Sequence, residues 1–180
     1  MKTILFRGEL TADSADELIS LSTIASNAGV AELRLIIDSS GYDFFNAYRI
    51  YKHMKSLPMM IHAHNSNNIY NFSNLLFLSG TVRTATPDAR FAFKPLELNL
   101  NEGTTYSHSN LRGMVNKMDD DFQKMIELYS LATQNHADVD WNSLLSHYTS
   151  ISSNRALGLG YIDIIYDCKI SNDQVLGVVG

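Results

Sequence analysis

The sequence is poor in several residue types that would assign it to a class of proteins at once. Its 180 residues include one cysteine, Cys168, and lysine and arginine together number 14 against 19 acidic residues. A single cysteine cannot form a disulfide within the chain. A net charge of −5 provides no basic surface for nucleic acid or for an anionic membrane. No apolar run reaches the roughly 18 residues of a membrane-spanning helix, so neither kind of partner is expected.

Apolar residues make up 45% of the chain, enough for one hydrophobic core. We expect a single domain over residues 1–168, followed by a C-terminal tail over residues 169–180. The opening residues, MKTILFRGEL, lack the apolar stretch of a signal peptide. Together with the lone cysteine, this composition predicts a cytoplasmic protein.

The order of apolar segments predicts an α/β fold in which strands alternate with helices. The run LRLIID is too continuously apolar for a half-exposed strand, which indicates a parallel sheet covered on both faces. Ser14 and Glu17 predict a capping box at the start of the first helix. The predicted strands are Thr3–Gly8, Leu33–Asp38, Met59–His64, Thr81–Ala85, Arg90–Lys94 and, as the last one, Tyr161–Tyr166; the later predicted helices are Ala47–Met54, Tyr70–Leu78, Ser109–Gln134 and Asp140–Tyr148, with a short one after Ser152.

Common cofactor and catalytic motifs are missing. The sequence contains no GxGxxG, P-loop or GxSxG pattern, so we expect no cofactor. His62 and His64 would share one face of a strand, but without an adjacent acidic or cysteine ligand they are interpreted as polar residues at a strand end rather than a metal site. Asp119, Asp120 and Asp121 point in different directions around a helix and are interpreted as a solvated face.

Four stretches resemble segments of the Clp protease proteolytic subunit, in the same order along the chain. They are IIDSSGYDFFNAYRIYKHM, NNIYNFSNLLFLSG, TVRTATPDARFAFKP and ALGLGYIDII. The resemblance implies a ClpP/crotonase-like βαβ superhelical fold in which the long helix after Ser109 is the handle helix. A crotonase is the alternative within the superfamily, although crotonases usually carry further C-terminal helices.

The resemblance also assigns positions to the family's active site. The position of the nucleophilic serine holds Asn71, that of the histidine holds Lys94, and that of the aspartate holds Tyr148. The oxyanion turn corresponds to Gly41 and Tyr42, where the family has two glycines. The resemblance therefore implies that no family triad is intact.

Two functions follow from these substitutions. The first is a non-catalytic assembly or accessory subunit, either a homo-oligomer or a hetero-oligomer with a ClpP-like subunit, for which we expect no docking to a Clp ATPase. The second is an active serine peptidase or acyl hydrolase with a displaced nucleophile, Ser73 or Ser66. Its candidate bases would be His62, His64, His108 and His147.

Overall fold

The computed structural model describes residues 1–133, 139–169 and 174–180, and strands alternate with helices as predicted. Most of the strands lie close to the predicted segments. In chain order the elements are β1 (Lys2–Leu10), α1 (Ala12–Asn27), β2 (Glu32–Gly41), α2 (Phe44–Ser56), β3 (Met60–Asn71), α3 (Ser73–Leu78), β4 (Val82–Ala85), β5 (Arg90–Phe93), α4 (His108–Ala132), α5 (Trp141–Leu145), β6 (Thr149–Ser152), α6 (Ser153–Gly158), β7 (Ile164–Ile165) and β8 (Val175–Val179).

The strands form one sheet that forks at β3. Its main path runs β6-β5-β3-β2-β1-β8, while β4 pairs with β3 and β7 pairs with β4. The first part of β3 pairs with β4 and its last part, Asn68–Tyr70, pairs with β5. A register irregularity against β2, between Ile37 and Ser39, accompanies this change of partner. The fork carries the end of β3 to β5, which places Asn71 near Lys94.

The predicted boundary between the third strand and the third helix was wrong. We expected the strand to end at His64 and a helix to begin at Tyr70, but the strand continues to Asn71 and the helix starts at Ser73. The asparagine-rich segment between them has little intrinsic preference for strand. Its pairing with β2 on one side and with β5 on the other supplies the tertiary context that outweighs this preference.

Two other boundaries also differ from the predictions. The N-cap of α1 is Thr11, whose side chain accepts a hydrogen bond from the Ser14 backbone, so the predicted box of Ser14 and Glu17 lies one turn late. The helix predicted over Asp140–Tyr148 is shorter, because Thr149–Ser152 pairs with β5 as a strand. The predicted end of α4 at Gln134 lies outside the described residues.

The last strand of the sheet was not predicted. Tyr161–Tyr166 contributes only the two-residue strand β7, and β8 follows it. Residues of β8 pair in parallel with β1, so this part of the predicted tail belongs to the sheet. The valine-rich segment is short, and its strand becomes evident only when β1 is available as a partner.

The C-terminal end of α4 packs against the sheet through a cluster of buried aromatic side chains. Tyr129 stacks on Tyr161 with ring centroids 5.9 Å apart, and Trp141 packs against Tyr129 at 4.9 Å. Of the 25 residues of α4, only Met125 and Tyr129 are buried. Phe122, Ile126, Leu128 and Ala132 also pack against the core but are only partly buried. Within the described residues, no helix combines the length and the apolarity needed to cross a membrane.

Candidate functional site

A sharp turn connects the end of β3 to α3, and Asn71 occupies it. Asn71 has a φ of 51°, and among the described residues no other non-glycine residue has a positive φ. Asparagine tolerates this left-handed conformation better than most residues because its short side chain can hydrogen-bond locally. The residue predicted for the nucleophile position therefore lies on a strand-turn-helix corner, at the border of a surface cleft.

Asn74 holds this corner to its surroundings from within the core. Its side-chain nitrogen donates to the Asn71 carbonyl at 2.9 Å and to the Ala92 carbonyl at 3.0 Å. Its side-chain oxygen accepts from the Tyr161 hydroxyl at 3.1 Å. Asn74 is fully buried, so these bonds are shielded from water. One side chain thus links the turn, β5 and the aromatic cluster.

Lys94 and Tyr148 meet at a shared carboxylate, Glu97. The Lys94 ammonium lies 2.5 Å from one Glu97 oxygen, and the Tyr148 hydroxyl donates to the other at 2.7 Å. The Lys94 nitrogen also lies 5.7 Å from the centre of the Tyr148 ring. The hydrogen bond to Glu97 raises the pKa of Lys94, and the same bond lowers the pKa of Glu97. Both groups are therefore charged at neutral pH.

The three residues at the family's triad positions are only partly brought together. Asn71 and Lys94 border the same cleft, and Tyr148 lies beside Lys94. No hydrogen bond among the described residues joins Asn71 to Lys94. Sequence reasoning missed Glu97, whose spacing of three from Lys94 was a weak signal for an ion pair.

The turn predicted to hold an oxyanion does not present two free N–H donors to one point. The Phe72 N–H donates to the Gly41 carbonyl at 3.0 Å. Gly41 and Tyr42 share a trans peptide, in which the C=O and the N–H point in opposite directions. The Tyr42 N–H consequently points away from the Phe72 N–H. The two donors do not converge on one oxygen atom, as an oxyanion hole would require.

Gly41 is needed here because the chain passes very close to α3. A Cβ atom at this position would lie 2.8 Å from the Ser73 hydroxyl and 2.9 Å from the Ser73 backbone nitrogen. This close approach explains why the first glycine of the predicted turn is present while the second position accepts a tyrosine. The Tyr42 side chain is 61% exposed at the edge of the cleft.

The two serines considered as displaced nucleophiles lie in protected positions. Ser73 is fully buried, and its hydroxyl lies 3.0 Å from that of Ser39. Ser66 is half-buried within β3, and its hydroxyl donates to the Ile37 carbonyl at 3.4 Å. No hydrogen bond among the described residues connects either serine to a histidine.

The histidines predicted as possible ligands or bases make other contacts. His62 lies 3.9 Å from a Glu32 oxygen, and His64 is buried with its Nδ1 2.8 Å from the Thr84 hydroxyl. His147 is exposed and contacts the Ser143 carbonyl, and His108 is an exposed residue at the start of α4. Within the described ranges, no three histidine, cysteine or acidic residues are grouped to hold a metal.

The cleft beside Asn71 has a volume of about 660 Å³. The beginning of α2 forms one wall, with Phe44, Phe45 and Tyr48, and α4 forms the other, with Lys117 and Lys124. Asp121 of the acidic triplet borders it too, whereas Asp119 and Asp120 are exposed. Sequence reasoning identified Asn71, Tyr42 and Lys94 here but missed the aromatic wall, because Phe44 and Phe45 were assigned to a turn and Tyr48 only to the helix that follows it.

Comparisons with known proteins agree with the fold. The model of the family described as Clp protease matches residues 1–169. No curated protein sequence matches the chain. Among solved structures, an asparagine-to-aspartate mutant of ClpP1 from Listeria monocytogenes is similar, with a TM-score of 0.80 and 13% sequence identity. The match covers 93% of this chain and 92% of that one.

Proposed function

Because the chain belongs to the Clp protease family, we propose that it is a non-catalytic member that uses the family fold as an assembly or accessory subunit. The main support is the side chain at the corner between β3 and α3. A carboxamide, Asn71, stands there in place of a hydroxyl or a thiol. Amides are poor nucleophiles, and covalent catalysis of acyl transfer depends on an activated oxygen, sulfur or amine.

The groups around Asn71 support the same proposal. A general base must be able to accept a proton. The Lys94 ammonium is already protonated, and its contact with Glu97 raises its pKa further. The N–H of Phe72 is occupied by the Gly41 carbonyl, so it is not free to stabilise an oxyanion. The nucleophile and the base are thus replaced, and one of the two oxyanion donors is engaged.

We expect the purified protein to hydrolyse peptide esters no faster than buffer does and to remain unlabelled by a broad set of fluorophosphonate probes. The physical reason is the missing nucleophile, so pH and substrate should not change the result. The measurement is ester turnover together with gel detection of probe labelling.

The variants Ser73→Ala and Ser66→Ala test the alternative of a displaced serine. Ser20→Ala, at an exposed position on α1, is the matched control. Labelling or turnover that disappears in Ser73→Ala or Ser66→Ala, but persists in Ser20→Ala, would show an active hydrolase. That result would refute the non-catalytic role.

The exposed part of α4 supports the assembly role. At 1.5 Å per residue the helix is about 37 Å long, but it is buried only at Met125 and Tyr129. Val115 is 47% exposed, and Leu111 and Met114 are only half-buried. A helix gains most of its stability from packing an apolar face against other residues. A second subunit could supply that packing for the exposed apolar residues of α4.

We expect the wild-type protein to sediment at micromolar concentration as a multiple of its 20.2 kDa chain mass. Val115→Asp should shift the distribution toward smaller species, because a buried carboxylate without a partner is costly in an interface. Asn116→Asp, which adds the same charge at the next exposed position, should leave it unchanged. A strictly monomeric wild type would refute assembly of this chain with itself.

A further inference from the structure

The cleft has a continuous aromatic wall that the absence of catalysis does not explain. Phe44 stacks on Tyr48 with ring centroids 5.8 Å apart and packs edge-on against Phe72 at 5.7 Å. Beside them, Phe45 is 70% exposed and Tyr42 is 61% exposed. Large aromatic side chains exposed together at a concave surface are typical of a ligand site.

The opposite wall carries positive charge toward these rings. Lys117, Asp121 and Lys124 occupy one face of α4 at helical spacing, and all three border the cleft. The Lys124 nitrogen lies 4.8 Å from the centre of the Tyr48 ring, so an ammonium group reaches across the cleft to the aromatic wall.

The cleft is formally neutral, but several of its charges are already engaged. Lys94 pairs with Glu97. The Asp43 carboxylate caps α2, accepting from the Phe45 and Asn46 backbones and from the Asn46 side chain. The Asp43 carboxylate keeps its charge, but it lies on the opposite wall, at the positive end of the α2 dipole. On the α4 wall, Lys117 and Lys124 stand against one carboxylate, Asp121. That wall is therefore complementary to a single negative charge.

We propose that this cleft binds small amphipathic carboxylates, with an aromatic or acyl body on the aromatic wall and the acid group toward Lys117 and Lys124. The volume of about 660 Å³ lies in the range of small-molecule sites. The proposal deepens the function above and rests on it, because without a nucleophile the cleft is a site for binding and not for reaction.

Two fluorescent probes with the same aromatic body test this site. The first, 8-anilino-1-naphthalenesulfonate, carries a negative charge, and the second, N-phenyl-1-naphthylamine, does not. The charged probe should bind more tightly to the wild type. In the double variant Lys117→Met and Lys124→Met, the Kd of the charged probe should rise about fivefold to tenfold. A change of this size corresponds to the loss of one charge-assisted contact. The uncharged probe should bind that variant as it binds the wild type.

Further variants and competitors locate the site and identify the ligand class. Lys52→Met removes an exposed lysine that does not border the cleft and should change neither Kd. Phe45→Ala should weaken both probes. The acid 4-phenylbutyrate should displace the charged probe at a lower concentration than 4-phenylbutanol does.

Equal Kd values for the two probes on the wild type would overturn the proposal, as would an unchanged Kd of the charged probe in the double variant. Either result would leave the lack of hydrolysis standing. Conversely, ester turnover by the wild type would refute the non-catalytic role even if the acids bound as expected.

Discussion

Replacing Asn74 with alanine is expected to lower the free energy of unfolding by about 4 kcal/mol. The substitution removes the donor to two partly buried carbonyls, those of Asn71 and Ala92, and the acceptor of the buried Tyr161 hydroxyl. Three hydrogen bonds are lost together, and each costs about 1 to 1.5 kcal/mol. Urea unfolding at a fixed protein concentration, with an unchanged slope, measures the loss.

Two matched variants separate this network from the general effect of losing an asparagine. Tyr161→Phe removes only one of the hydrogen bonds and should cost about 1 to 1.5 kcal/mol. Asn142→Ala, at an exposed position on α5, should stay within about 0.5 kcal/mol of the wild type. A loss in Asn74→Ala no larger than that in Tyr161→Phe would show that Asn74 does not hold the corner at Asn71.

Acidification from about pH 6.5 to pH 4 is expected to lower the stability by about 3 kcal/mol through His64 alone. Burial and, to a smaller extent, the nearby Arg34 lower the pKa of His64 from 6.5 to about 4, while Asp167 opposes the shift. Between these two values the unfolded chain binds a proton that the folded chain does not. Stability therefore rises with pH across this window and is fully present above about 6.5.

The imidazole that titrates is held in place by its neighbours. Its Nδ1 lies 2.8 Å from the Thr84 hydroxyl, and its ring packs 5.2 Å from that of Tyr166. His64→Gln should flatten the slope of stability against pH between about 4 and 6.5 by close to one proton. His147→Gln, at an exposed histidine, should leave the slope as in the wild type. Parallel curves for His64→Gln and the wild type would refute the assignment to His64.

The alternation of strands and helices could be predicted because it depends on local patterns. The run Leu33–Asp38 is apolar on both faces, and it lies inside β2, between β1 and β3. The long helix follows from apolar residues at spacings of three and four, and α4 begins one residue before its predicted start. These features require only the residues within one element.

The elements that were missed depend on partners distant in the chain. The asparagine-rich end of β3 is a strand because β2 and β5 both pair with it. The valines of β8 are a strand because β1 offers its edge. A pattern within either segment carries no information about that partner. Local reasoning therefore left most of the first segment outside any element, with a helix starting at Tyr70, and assigned the second to a tail.

Within the cleft, the chemistry of individual positions was predicted better than their contacts. The family resemblance assigned Asn71 and Lys94 to active-site positions, and both border the cleft. The partner of Tyr148 is Glu97, 51 residues away, and that of Asn74 is Tyr161, 87 residues away. Contacts at such separations result from the packing of whole elements and have no local signature.

The sequence by itself determined which chemical groups this chain can bring to a site: an amide at residue 71, an ammonium at residue 94 and a phenol at residue 148. Only the tertiary structure decided that Ser73 is enclosed against Ser39 and that the Gly41 carbonyl occupies the Phe72 N–H. The physical reason is that the chemical identity of each side chain is fixed by the covalent structure of the chain before it folds. Burial and the direction of a peptide dipole, in contrast, are set when β2, β3 and α3 pack together.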